Sequence, residues 1–197
     1  MSPKIIISII IPFKKWSSDL DECLIQIQNL SFKEFEVVLL PDEPVEIPNA
    51  YQEMLISIIP TGAINPALKR DQGVSGSEGQ YLAFIDDDAY PKTNWLDIAH
   101  KIFVTQPNTG AVGGPAITPN TDSFWARVSG AVFLSRFSGG FPERYIPKPP
   151  ARIVNDWPSV NLIVRRETFE TVGGFDSEFW PGEDTLFCQK YHKKLLR

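Results

Sequence analysis

The chain has 197 residues, 43% of them hydrophobic, 12% aromatic and 22% charged, a composition that supports a buried core in one domain and rules out a disordered or fibrous chain. Nineteen Lys and Arg against 24 Asp and Glu leave a formal net charge of −5, so no global basic field exists to hold a polyanion, and nucleic acid is not an expected partner. Cys23 and Cys188 stand far apart with no Cys-x-x-Cys or Cys/His pairing, which excludes a disulfide framework and a zinc ribbon and predicts two free thiols.

In chain order, the isoleucine-rich run 5–11 is broken by Ser8 and stopped at Pro12, Lys14 and Lys15, far short of the roughly 20 residues a spanning helix needs. It reads instead as a first strand, residues 4–11, buried on both faces in a parallel sheet. No signal peptide or transmembrane helix is expected, and a cytoplasmic location follows from that and from the free thiols. Ser18, with Asp21 three residues on, predicts a helix cap, and Leu20, Cys23, Leu24, Ile27 and Leu30 follow at helical spacing. Residues 35–40, 54–59 and 81–85 read as further strands, with Asn65 and Pro66 opening a helix between the last two. Thr93 is the expected cap of the next helix, and residues 110–114 return as a short fifth strand. Prolines at 119, 142, 147, 149, 150 and 158 make 118–158 an irregular excursion around one amphipathic stretch, 124–137. A strand at 160–164, a short helix at 166–172 ended by Gly173 and Gly174, and a last helix at 183–195 complete an α/β pattern with a mostly parallel sheet.

The chemistry is carried first by Asp86-Asp87-Asp88, directly after the apolar run Tyr81-Leu82-Ala83-Phe84-Ile85. Ligands gather at the carboxyl ends of strands in open α/β sheets, and three adjacent carboxylates there repel one another unless a cation or hydrogen-bond donors intervene. Mg²⁺ or Mn²⁺ held by one or two carboxylates and completed by substrate phosphates fits that arrangement, whereas the bland alternative is a solvated acidic turn. Pro12 and Asp42 end the first two strands at the same edge, where a carboxylate can accept from a base or ribose. Lys69 and Arg70 lie in the first turn of a helix, where the dipole disfavours cations; they read either as partners of a nucleotide, of Asp71 and of the acidic cluster, or as an ordinary surface pair. Near the end, Gly173-Gly174-Phe175-Asp176 and Phe179-Trp180-Pro181-Gly182-Glu183-Asp184 combine a close-approach backbone, an aromatic platform suited to a sugar face and two carboxylates. Glu183 and Asp184 serve either as helix-end charges or as a base.

These segments, in this order, resemble the family 2 glycosyltransferases: Ile7-Ser8-Ile9-Ile10-Ile11-Pro12, Glu36-Val37-Val38-Leu39-Leu40 with Asp42, Gly79-Gln80 leading into the strand and acidic triplet, and Val172-Gly173-Gly174-Phe175-Asp176 before Gly182-Glu183-Asp184. The resemblance implies a single GT-A domain over 1–197, with a nucleotide-binding half at 1–115 and an acceptor-side half at 116–197. It implies an inverting transfer from a UDP, dTDP or GDP sugar to a saccharide or lipid-linked acceptor in cell-surface polysaccharide synthesis. By the same token Asp88, with Asp86, is expected on Mg²⁺ or Mn²⁺, and Pro12, Asp42, Lys69, Arg70, Asp86 and Asp87 around the donor. Asp184, beside Glu183, is then the general base, and Trp180, Gly173 and Gly174 form the acceptor side. The chain departs from the family at Pro41-Asp42-Glu43, at Lys69-Arg70-Asp71 and at Gln189-Lys190, and it stops in the helix after Asp184, as a catalytic-domain fragment would.

Two other functions compete. A nucleotidyltransferase should carry a glycine-rich phosphate loop after the first strand, and Pro12-Phe13-Lys14-Lys15-Trp16 has no glycine. A binding module without turnover shares the donor site but has no use for Asp184. The 124–137 stretch, with Arg127, Arg136, Arg144 and Lys148 around it, reads as core packing or as a peripheral contact with the inner face of the plasma membrane.

Overall fold

The computed structural model describes residues 4–135, 144–175 and 177–195; Arg136, Phe137, Pro142 and Asp176 lie outside them. The first five segments are β1 (Ile7–Pro12), α1 (Ser18–Gln28), β2 (Phe35–Leu40), β3 (Ile56–Ile58) and α2 (Pro66–Ser75). They are followed by β4 (Tyr81–Ile85), α3 (Trp95–Thr105), β5 (Ala111–Gly113), α4 (Phe124–Leu134), β6 (Asn161–Arg165), α5 (Arg166–Val172) and α6 (Glu183–Leu195). The strands form one sheet in the order β3-β2-β1-β4-β6-β5. β1 pairs parallel with β2 and β4, and β2 with β3.

Why β1 is isoleucine-rich is visible in the two cores it serves. Ile7, Ile9 and Ile11 pack with Leu20, Leu24, Ile27, Leu96 and Phe103 of α1 and α3 on one face. Ile10 packs on the other face with Ala67, Phe169, Val172 and Phe187 of α2, α5 and α6. Alternate side chains of a strand point to opposite faces, so a central strand covered by helices on both sides has no position left for a polar residue without a partner. Ser8 is the exception and it is satisfied: its hydroxyl donates to Glu36 Oε1 at 2.6 Å and accepts from Gly79 N at 2.8 Å. Glu36 Oε1 also accepts from Glu78 N at 2.6 Å, so this buried network ties β1, β2 and the turn into β4 together.

Gly79 is required by that close approach. A Cβ there would stand 2.4 Å from Ser8 N and 2.7 Å from the Ile7 carbonyl carbon, backbone atoms that cannot step aside. Gly79→Ala is expected to cost about 3 kcal/mol, at the upper end of overpacking penalties, because β1 itself must shift; urea unfolding of the variant measures it, and an unchanged midpoint would show that the turn relaxes freely.

Several boundaries differ from the sequence expectation, among them β1, which runs Ile7–Pro12, and β6, which runs Asn161–Arg165. Ser17, not Ser18, caps α1: Ser17 is extended (φ −139°, ψ 165°) and its hydroxyl accepts from Leu20 N, while Ser18 is already the first helical residue. Asn94 rather than Thr93 precedes α3 and makes no side-chain cap; the Thr93 carbonyl accepts from Ser31 N at 2.9 Å and Ser31 Oγ at 2.8 Å. β3 and β5 are each three residues long, shorter than the runs at 54–59 and 110–114. Asn65 caps α2 as expected, accepting from Leu68 N, and Gly173, in the left-handed region at φ 97°, ends α5.

β6 runs antiparallel to both β4 and β5. The chain leaves β5 at Gly113, makes the 114–160 excursion with α4 inside it, and comes back at the same edge, where Gly114 N donates to the Asn161 carbonyl at 3.2 Å. Because the chain re-enters at the carboxyl edge from which it left, the next strand runs in reverse. Trp157 anchors the return: its indole lies against Gly113 and donates to the Gly114 carbonyl at 3.0 Å.

Candidate active site

The carboxyl ends of β1, β2 and β4 lie side by side, and β1 is where the strand order reverses, the position at which open α/β sheets form a crevice. Pro12 ends β1 opposite Leu40, and Asp42 follows β2. Lys69 closes this corner. Its ammonium, 3% exposed, donates to the Phe13 carbonyl at 2.5 Å and the Leu40 carbonyl at 3.1 Å, and pairs with the Asp42 carboxylate. A buried lysine with three acceptors satisfies all its donors, so Lys69 is the clamp that holds the ends of β1 and β2 and orients Asp42.

Arg70, 4% exposed, does the equivalent across the other side of the crevice. Nη2 donates to Asp86 Oδ1 at 2.6 Å and Nη1 to Glu183 Oε1 at 3.1 Å. One guanidinium therefore joins the acidic triplet after β4 to the first turn of α6, segments about a hundred residues apart in sequence. Of the two readings of Lys69 and Arg70, the surface pair is set aside and the pairing of Arg70 with the acidic cluster is found: both cations are buried counter-ions, placed early in α2 because that turn faces the carboxylates. Asp71 pairs elsewhere than with these cations, accepting from Phe175 N at 3.0 Å. A Cβ on Gly174 would stand 2.9 Å from Asp71 Oδ1, so Gly173 and Gly174 end α5 and let the chain pass over α2.

Asp87 and Asp88 are held above the ordinary carboxylate range. Partial loss of hydration is the larger cause for each, and the repulsion of Asp88 on Asp87 and of Asp86 on Asp88 adds to it, with Asp19 of α1 contributing to both. The same acidic edge and, above all, its own burial push the Cys23 thiol beneath it up to about 12. Both cysteines are free thiols.

At the start of α6 the two carboxylates separate. Glu183 is turned inward to Arg70, its second oxygen accepting from Gly182 N at 3.0 Å. Asp184 is only half-buried and is oriented by two backbone amides, Thr185 N at 2.7 Å on Oδ1 and Ser159 N at 3.3 Å on Oδ2. Phe179 and Trp180, just ahead of it, are exposed. Ser159 and Asp156, which accepts from Thr185 Oγ1 at 3.0 Å, escaped the sequence reading because they sit in the irregular excursion with no motif to mark them. Asn161 escaped it too; it pairs with Ile85 beside the triplet and accepts from Trp95 Nε1 at 2.9 Å, and its one signal is a polar residue opening an apolar strand.

The family model described as glycosyl transferase family 2 matches residues 8–173. The chain belongs to glycosyl transferase family 2. It is 27% identical over 128 residues to the pre-mycofactocin glycosyltransferase of Mycobacterium tuberculosis, an overlap of 62% of this chain and 25% of that protein. Among solved structures it is similar to Staphylococcus aureus TarS 1-349, with a TM-score of 0.69 and 18% identity over 96% of this chain and 56% of that one. It is also similar to the mannosyltransferase PcManGT from Pyrobaculum calidifontis in complex with GDP-Man and Mn²⁺, with a TM-score of 0.64 and 16% identity over 94% and 51%. The fold of this family 2 chain is accordingly the GT-A fold, and the chain spans about a quarter of that curated relative and about half of each of these solved neighbours.

The family implies a divalent cation, and the donor set present here fits one. Among the described residues no three His, Cys, Asp or Glu side chains converge into a closed cage. What the edge offers instead is a pair of mutually repelling carboxylates, Asp87 and Asp88, next to Asp86, which Arg70 already occupies. An oxygen-seeking cation that takes one or two carboxylates and completes its shell with phosphate oxygens suits such an edge.

Proposed function

We propose that this chain is the donor-binding and catalytic part of an inverting glycosyltransferase that moves a sugar from a nucleoside diphosphate sugar to the hydroxyl of a saccharide or lipid-linked acceptor. The observation that supports the reading is the Arg70 guanidinium, which bonds both Asp86 of the acidic triplet and Glu183 in the first turn of α6. In this reading residues 1–115 hold the donor and residues 116–197 face the acceptor. Asp42 and Pro12 border the base, Asp86 and Asp87 the ribose and sugar, and Asp88, with Asp86, the cation. A bound Mg²⁺ or Mn²⁺ would neutralise charge developing on the departing diphosphate.

The chain's own residues then supply the rest. Asp184 takes the acceptor hydroxyl proton as that oxygen bonds to the anomeric carbon; the bond from that carbon to the phosphate oxygen breaks on the opposite side, and a single displacement inverts the centre. Two backbone amides hold the Asp184 carboxylate in place for that transfer. Glu183 is committed to Arg70 and acts as a counter-ion rather than as the base. Trp180 and Phe179 present the apolar surface on which a sugar ring stacks. The structural relative bound to GDP-Man and Mn²⁺ supports a nucleotide-sugar donor and a divalent cation for this crevice.

A thermal-shift series with UDP, dTDP and GDP sugars, with and without Mn²⁺, tests the donor half. A matching donor at a hundredfold excess over its Kd stabilises by about 2.7 kcal/mol, a rise in Tm of roughly 5–10 °C. Asp88→Ala should lose the Mn²⁺-dependent part of the rise and keep its own Tm; a full shift in that variant would take the cation away from the triplet.

A further inference from the structure

Helix α6, which carries Asp184, is laced along one side to the returning end of the excursion. Ser159 N donates to Asp184 Oδ2 at 3.3 Å and Thr185 Oγ1 to Asp156 Oδ2 at 3.0 Å. Further along, Cys188 Sγ donates to the Trp157 carbonyl at 3.8 Å and His192 Nε2 to the Val154 carbonyl at 3.2 Å. Positions 184 and 185, 188 and 192 follow one another by about one helical turn and so share a face, and residues 154–159 run along it in the opposite direction. Apolar packing backs the same contact: Trp157 and Phe187 lie in one core cluster, with Val154, Cys188 and Tyr191 against it.

Asp156 is where this seam is tied to the rest of the excursion. The Oδ2 atom that accepts from the Thr185 hydroxyl also pairs with Arg144 Nη2, and both members of that ion pair are mostly buried. The Arg144 carbonyl in turn accepts from Ala116 N at 2.8 Å, on the limb that leaves β5. Both amides that hold the Asp184 carboxylate depend on this arrangement. Thr185 N, 2.7 Å from Oδ1, belongs to the residue whose hydroxyl Asp156 holds. Ser159 N lies three residues beyond Asp156, across the buried Trp157 and across Pro158, whose ring fixes φ and stiffens the step. A carboxylate that takes a proton has to sit within hydrogen-bond reach of it, and a displacement of about 1 Å costs on the order of a hundredfold in rate.

We propose that Asp156 is a positioning residue for Asp184: through the Thr185 hydroxyl and the Trp157-Pro158-Ser159 step it sets the two amides that aim the carboxylate. The inference rests on the reading of Asp184 as the general base. It makes the excursion, otherwise a surface appendage of the sheet, part of the geometry of transfer.

Thr185→Val tests it, because Val keeps the branched shape, removes one hydroxyl and leaves both backbone amides and the Arg144–Asp156 pair in place. Rates are read as nucleoside diphosphate released from UDP, dTDP and GDP sugars with Mn²⁺. Thr185→Val is expected to lower kcat about tenfold at an unchanged donor KM, and Thr185→Ser to recover most of it. Asp156→Asn, which keeps an oxygen for Thr185 and loses the charge that holds Arg144, should fall between them. A kcat kept in Thr185→Val, or a loss that Thr185→Ser does not recover, would overturn the proposal. Amide hydrogen exchange followed by NMR on the 197-residue chain needs no donor. The Ser159 and Thr185 amides should exchange about tenfold faster in Thr185→Val while those of β1 and β4 keep the parent rates. Unchanged exchange at both would overturn the proposal whatever the rates show. Asp184→Asn keeps the two failures apart: full turnover in that variant would remove the base assignment, and the exchange rates would still decide whether Asp156 holds the carboxylate.

Discussion

Asp184→Asn is expected to retain donor binding and lose transfer by about two to four orders of magnitude in kcat, the range general-base catalysis supplies. The replacement is nearly isosteric. The amide oxygen can still accept from Thr185 N, so the start of α6 should keep its shape. What disappears is the group proposed to take a proton from the acceptor hydroxyl, while the acidic triplet, on the other side of Arg70, is untouched. Calorimetric titration with donor and Mn²⁺, run beside initial rates, separates the two effects. Glu183→Gln is the informative control: its partner is a buried guanidinium, so it should lower Tm more than Asp184→Asn does and should leave a measurable rate. Unchanged turnover in Asp184→Asn would move the base to another residue.

The largest effect on stability should come from Arg70→Met. The side chain it replaces is buried and holds two carboxylates, one buried and one about one-third exposed. Removing one partner of a buried ion pair leaves the other charge without compensation and costs about 3–5 kcal/mol. Solvent reaching Asp86 argues for the lower end, near 3 kcal/mol, or a fall in Tm of roughly 6–12 °C for a chain of this length. The orphaned Glu183 and Asp86 would repel each other and draw α6 away from the triplet, so donor affinity should fall together with stability. Chemical denaturation of the variant at neutral pH gives the first quantity and the thermal-shift series the second. A loss under 1 kcal/mol would mean that water replaces the guanidinium without difficulty.

Much of this molecule is written locally. The isoleucines of β1 and the run before Asp86 announce central strands because a strand covered on both faces admits little else, and the bounds of α5 and α6 follow from Gly173-Gly174 and from the acids at 183 and 184. The acidic triplet is legible for the same reason: a polar run directly after a buried strand must lie at its carboxyl end. What could not be read is set by distant partners. Lys69 and Arg70 read equally as solvated cations and as partners of the acidic cluster until Asp42, Asp86 and Glu183 are brought to them from three other segments. Whether Ser17 or Ser18 caps α1 is decided by one residue's backbone angles, which two adjacent serines do not specify. The reversal of β6 depends on which edge the chain returns to, a property of the whole excursion and of Trp157's grip on Gly113, with no signal inside residues 161–165 themselves.

That excursion has a consequence for how such a scaffold diversifies. Its two ends meet at Gly114 and Asn161, a backbone hydrogen bond apart, so everything between them is a closed cassette mounted on one rim of the sheet. Doubling the length of a flexible closed loop costs only about 0.6 kcal/mol, which leaves the strands that carry Asp42 and the acidic triplet almost indifferent to what the cassette contains. On the proposed division of labour, the part facing the acceptor can thus be exchanged or enlarged while the strands beside the acidic triplet stay in register.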